Sequence, residues 1–179
     1  STNAYDSHID AGCPEKPFDV KLPNTWEPVF SIRDYGTGLS PEVVQHVFTV
    51  VFESLRDHSD DFVGALGLGS KSPFAYTDMF TVKSYYNGVL YIYSCFKDED
   101  GEPACSLMSE VPTDEPNGLE ISINVRDSWD SQSFVKAAKE IYPWFKVRPN
   151  ISGAKIEYPT FKPEFSSENY MATVNAHGV

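Results

Sequence analysis

From Phe80 to Val125 the chain runs through four segments rich in aromatic and β-branched residues, set apart by turn-forming stretches. Phe80–Tyr86 and Val89–Phe96 flank Asn87-Gly88, a dipeptide suited to a two-residue hairpin because both positions tolerate positive φ. Asp98-Glu99-Asp100-Gly101 separates the second segment from Ala104–Val111, and Leu119–Val125 completes the run. This pattern predicts an antiparallel meander. A meander with one apolar face must be covered by other parts of the chain, and helical segments are available on both sides of it. Asn3–Ala11 reads as a helix stopped by Gly12. Ser40-Pro41-Glu42-Val43 carries a capping hydroxyl, a proline for the first turn and an acid near the positive dipole end. Val43, Val44, Val47, Phe48 and Val51 then recur at helical spacing through about Glu53. A short helix is expected from Ser70 to about Tyr76, and an amphipathic one over Ser133–Phe145, with Phe134, Ala137, Ala138, Ile141 and Phe145 on one side. Val29–Ile32 reads as a strand, residues 14–27 with their prolines as loop, and Lys155–Tyr158 as a last strand. The order predicts an α+β protein, a two-layer sandwich with a mixed, mostly antiparallel sheet and helices on one face. Residues 1–150 are expected to form one domain, with the strand and polar tail of 151–179 able to open a second.

Composition narrows the function. The 179 residues carry 26 acidic against 14 basic side chains, a formal charge of −12. That balance disfavours non-specific binding to nucleic acid or to an anionic membrane, since phosphate backbones reward basic surfaces. It leaves room for an anionic ligand held by a local nest of backbone N–H groups. With 12 Phe, 10 Tyr and 3 Trp the chain is not an acidic disordered segment. Cys13, Cys95 and Cys105 have no CxxC spacing and are expected to be reduced thiols. No apolar run approaches the ~18 residues of a membrane span, so the expected setting is soluble and intracellular.

Two glycine clusters carry the chemistry. Gly64-Ala-Leu-Gly-Leu-Gly69-Ser70-Lys71-Ser72 misses the P-loop pattern by one register, because Ser70 stands where the lysine belongs, and no GxGxxG fingerprint fits either cluster. Gly67 and Gly69 can still turn backbone N–H groups inward, while Ser70, Lys71 and a following helix add donors and charge, which makes a cradle for a polyphosphate. Asp34-Tyr35-Gly36-Thr37-Gly38 ends a strand. An ionised carboxylate there is acceptor-only and suits an exocyclic amino group such as adenine's. Asn3 and Asp6, three apart, share a helical face, and a neutral amide oxygen can ligate Mg²⁺ whose other ligands are phosphate and water. Taken singly, each has an ordinary alternative: a Gly-rich turn, a strand-ending turn, a solvated helix face.

In combination, N-A-x-D on a helix, D-x-G-x-G after the next strand, and G-x-G before a helix about thirty residues later resemble the gyrase, heat-shock chaperone, histidine kinase and MutL (GHKL) superfamily, whose ATP site is the Bergerat fold. The resemblance implies ATP and Mg²⁺ as cofactors, with Asn3 on the metal, Asp34 on adenine, Gly36 and Gly38 packed on the base, and Gly67 and Gly69 at the phosphates. It makes His58–Gly67 a lid. The run GALGLGSKSPFAYTDMFTVKSYYNG and Tyr142-Pro143-Trp144-Phe145-Lys146-Val147-Arg148-Pro149 look like the rIIA-like proteins of bacteriophages. That narrower resemblance implies a viral protein of the infected bacterial cytoplasm, peripheral to the inner membrane, whose nucleotide-dependent lid closure regulates assembly with a protein partner or a second copy.

Two departures matter. Hydrolysing members carry a general-base glutamate four residues before the asparagine, a position upstream of Ser1, so no catalytic residue is assigned and the chain is expected to be a fragment. Where the superfamily often has Gly-Thr, this chain has Gly118-Leu119; Ser122 or Thr81 would have to supply the supporting hydroxyl. His8, His46, His58 and His177 lack metal-ligand spacing and read as surface or lid histidines. The rival reading is a non-catalytic acidic interaction module, a degenerate GHKL scaffold or a DNA mimic, with the −12 charge and the missing base in its favour.

Overall fold

The computed structural model describes residues 1–50, 72–158, 165–166 and 171–172. It is an α+β protein with three α-helices and an open seven-stranded sheet, among the described residues. Helix α1 (Thr2–Asp10) comes first, followed by β1 (Asp19–Lys21) and β2 (Val29–Arg33). Helix α2 (Pro41–Gln45) continues as a π-helical turn, His46–Val50, and a 3₁₀ turn, Ser72–Ala75, leads into the meander. The meander is β3 (Met79–Tyr86), β4 (Val89–Lys97) and β5 (Pro103–Pro112), and β6 (Gly118–Asn124) follows it. Helix α3 (Ser128–Ile141) runs into a 3₁₀ turn, Tyr142–Trp144, before β7 (Asn150–Ser152). The short strands β8 (Phe165–Ser166) and β9 (Met171–Ala172) pair with each other.

The sheet order is β5-β4-β3-β6-β2-β1-β7. Every neighbouring pair is antiparallel except β1 and β7. The four expected strands are present with their boundaries shifted by a residue or so, but only β3, β4 and β5 form a meander. Asn87 and Gly88 both have positive φ (51° and 79°), as a type I′ turn requires. β6 does not stay beside β5: it crosses to lie between β3 and β2. That exchange brings the C-terminal end of β2 against the N-terminal end of β6.

Three expectations need correction. Residues 14–27 are not all loop, because Asp19–Lys21 pairs with β2 on one side and β7 on the other. The last strand of the main sheet is Asn150–Ser152, parallel to β1, and Lys155–Tyr158 forms no strand. Helix α3 starts at Ser128, five residues before the expected Ser133, because Asp127 caps it by accepting from the N–H groups of Trp129 (2.9 Å) and Asp130 (3.0 Å).

Two clusters make the core. Val44, Val47 and Phe48 pack with Phe80, Val82, Tyr93, Cys95 and Ile123. Ala4, Phe18, Val20, Leu22, Ala138 and Tyr142 form the second, and Phe30 and Phe134 touch both. Because side chains alternate along a strand, these sheet residues share one face, and Arg33, Lys83 and Glu120 share the other. Ile151, Ala154, Ile156 and Tyr158 pack on the second cluster, so the packed unit reaches Tyr158.

Candidate functional site

Helix α1 is held in place at its C-terminus. Gly12 (φ +72°) reverses the chain, and its N–H and that of Cys13 donate to the carbonyls of Ile9 (3.0 Å) and His8 (2.8 Å), the paired bonds of a Schellman ending. His8 is fully buried, contrary to the surface or lid role expected. Its Nε2 accepts from the Tyr35 N–H (2.7 Å), so the ring proton sits on Nδ1, facing the Lys16 carbonyl at 2.8 Å. The imidazole thereby bolts α1 to the Asp34–Gly38 turn. His46 is exposed, and His58 and His177 lie outside the described residues.

Asp34 follows β2 and is 6% exposed. Its Oδ1 accepts from the N–H groups of Gly36 (3.0 Å) and Leu119 (3.2 Å) and from Ser7 Oγ (3.2 Å). Oδ2 receives no hydrogen bond from the described residues. Burial pushes the Asp34 carboxyl above the ordinary carboxylate range; the hydrogen bonds from the Gly36 and Leu119 N–H groups and from Ser7 pull the other way without cancelling it. The supporting hydroxyl is therefore Ser7, four residues after Asn3 on α1. Neither Ser122 nor Thr81 serves, since both lie on the opposite sheet face from Ile121 and Ile123. Leu119 contributes its backbone N–H instead of a side-chain oxygen.

Asp34 lines a cavity of about 390 Å³ between α1, the sheet and α3. Its walls are apolar. Ile32, Ile121 and Ile123 come from the sheet, and Phe30 stacks at 4.8 Å on Phe134, which meets Tyr76 edge-on at 5.5 Å. Tyr76 is fixed by donating to Asp130 at 2.6 Å and accepting from the Arg126 N–H at 3.2 Å. Apolar walls around a few aimed polar groups are the usual makeup of a small-molecule site. Asn3 also lines the cavity, and its side chain takes no hydrogen bond from the described residues. Asp6 is exposed and does not line it.

The two glycines of the turn have separate reasons to be glycine. Gly38 lines the cavity with φ +71°, and a Cβ there would sit 2.2 Å from the Tyr85 carbonyl oxygen. Gly36 does not line the cavity. It lies against α1, where a Cβ would meet Ser7 Oγ at 1.9 Å. Its small size lets the helix approach the turn, which is a different role from packing on a base. The far end of the turn is clamped by Ser84, whose Oγ accepts from the Leu39 N–H (2.9 Å) and donates to the Leu39 carbonyl (2.7 Å).

The structure thus brings Asn3, Asp34 and Gly38 to one cavity and adds Ser7, Tyr76 and Phe134, which sequence reasoning did not single out for it. Ser7 had a signal, its i+4 spacing from Asn3. Gly67, Gly69, Ser70, Lys71 and the lid over His58–Gly67 lie outside the described residues. Among the described residues no group of three His, Cys, Asp or Glu could hold a metal, and no helix is long and apolar enough to cross a membrane. No protein-family model matches the chain, and no curated protein matches it.

Proposed function

We propose that this chain is an ATP- and Mg²⁺-binding domain of the GHKL type, built on the Bergerat two-layer sandwich and most like the rIIA-like phage proteins. The observation that carries the reading is the Asp34 carboxylate. It is buried at the end of a central strand, with one oxygen saturated by three donors and the other without a donor among the described residues, in an apolar cavity. Such an oxygen accepts an exocyclic amino group, and flat aromatic and aliphatic walls suit a purine. Asn3, on the same cavity and without a side-chain partner among the described residues, is the side chain that would hold Mg²⁺ together with phosphate oxygens and water. The metal, when bound, neutralises phosphate charge. Nucleotide occupancy would then bias contacts with a protein partner or a second copy, in the infected bacterial cytoplasm or at the inner membrane's edge. Turnover would require a general-base glutamate, and no residue of this sequence is assigned that role.

Calorimetry with ATP and Mg²⁺ tests the reading. Saturable binding is expected, abolished in Asp34→Asn and weakened in Asn3→Ala. Absence of heat from the unmodified protein would favour the non-catalytic acidic interaction module.

A further inference from the structure

Cys95 on β4 and Cys105 on β5 are directly opposed partners in an antiparallel ladder, with sulfur atoms 2.7 Å apart. Directly opposed positions place side chains on the same face at the separation a disulfide spans. Among the described residues β5 is the edge strand, paired with β4 alone, and a register shift after Ile92 leaves Met108 as an extra residue just beyond the pair. The two thiols are not equivalent. Cys95 is buried in the core beside Val44 and Phe48, whereas Cys105 is half-buried and reachable from outside.

We propose that Cys95 and Cys105 form a redox-active dithiol, a modification site that a low-molecular-weight disulfide converts to an intramolecular cross-strand disulfide locking the edge strand to the sheet. The hydrogen bond between the two sulfurs pushes the Cys95 thiol up and the Cys105 thiol down, and burial adds to the rise at Cys95. Cys105, the more exposed of the two, is the attacking sulfur and Cys95, buried behind it, the resolving one. In the first step the Cys105 thiolate bonds to one sulfur of the reagent, whose S–S bond breaks and releases one thiolate. In the second, the Cys95 sulfur loses its proton and bonds to Cys105 Sγ, expelling the second reagent thiol. The protein dithiol is oxidised by two electrons, and one reagent disulfide becomes two thiols. Cys13 is an internal control. It is half-buried like Cys105, but its Sγ faces the Tyr35 carbonyl at 3.8 Å and has no partner thiol.

The folded chain would be incubated with bis(2-hydroxyethyl) disulfide, a neutral reagent that the −12 charge does not repel, then alkylated, digested and weighed. The expected result is one peptide pair joined through Cys95 and Cys105, two hydrogens lighter, with reduction restoring both thiols. In Cys95→Ala, Cys105 should instead keep a mixed disulfide with the reagent. Recovery of all three cysteines as alkylated thiols from the unmodified protein would overturn the proposal. So would a linkage involving Cys13, or adduct formation at Cys95 in Cys105→Ala as fast as at Cys105 in Cys95→Ala.

Discussion

Asp34, the residue proposed to bind the base, works against the fold that holds it. Its carboxyl titrates above the ordinary range in the folded protein because burial outweighs its hydrogen bonds. A group whose folded pKa is raised contributes stability that is fully present below the unfolded pKa and lost as pH rises through the folded one. At neutral pH the ionised Asp34 is therefore a liability. Asp34→Asn keeps an acceptor for Gly36 and Leu119 and removes the buried charge. We expect it to melt higher than the unmodified protein at neutral pH, with the difference shrinking toward about pH 4; a lower melting temperature at neutral pH would contradict this. That Asp34 and Asn3 line one cavity was legible only through the ordered combination of motifs, since each alone has an ordinary alternative. Ser7 was not, because a serine on a helix has many roles. Nor was the role of Leu119, because a backbone N–H leaves no trace in residue identity.

At the scale of elements, the strands with clear alternation and turn chemistry were readable, and the ones decided by partners were not. β3 and β6 alternate, and marked turns join β3 to β4 and β4 to β5. β1 is three residues long between prolines, yet Phe18, Val20 and Leu22 alternate with Asp19 and Lys21, and all three are fully buried. That alternation was the available signal. β7 lies where the parallel pairing to β1 places it, a long-range choice that no local propensity at Lys155–Tyr158 reveals. For α3, the Asp127 cap was the overlooked marker. The cap also sets the first turn, where Asp130 receives the Tyr76 hydroxyl at the cavity wall. Asp127→Ala should cost about 1 kcal/mol in denaturant unfolding and lower ATP affinity in parallel. An unchanged unfolding midpoint would show that α3 does not depend on this cap.

For the whole molecule, the excess of acidic side chains sets a global term. Self-repulsion at a formal charge of −12 opposes compaction and is screened by salt. The few surface ion pairs, such as Lys21–Glu27 at 2.9 Å and Lys97–Asp78 at 2.7 Å, contribute little each. The melting temperature is therefore expected to rise between low and physiological ionic strength; a fall would mean that the ion pairs dominate. Against that acidity, the proposed triphosphate cradle would rest on a local pair of residues, Ser70 and Lys71. The central claim is that the cavity enclosed by α1, β2, β6 and α3 is the nucleotide site, and amide NMR during titration with ATP and Mg²⁺ tests it most directly. The Gly36 and Leu119 N–H signals, which report on Asp34 Oδ1, should shift together with those of Asn3 and Gly38, saturating at a single midpoint. Saturable shifts confined to residues away from this cavity, such as Asn24 and Lys136 between the β1–β2 loop and α3, or no shifts at all, would contradict it.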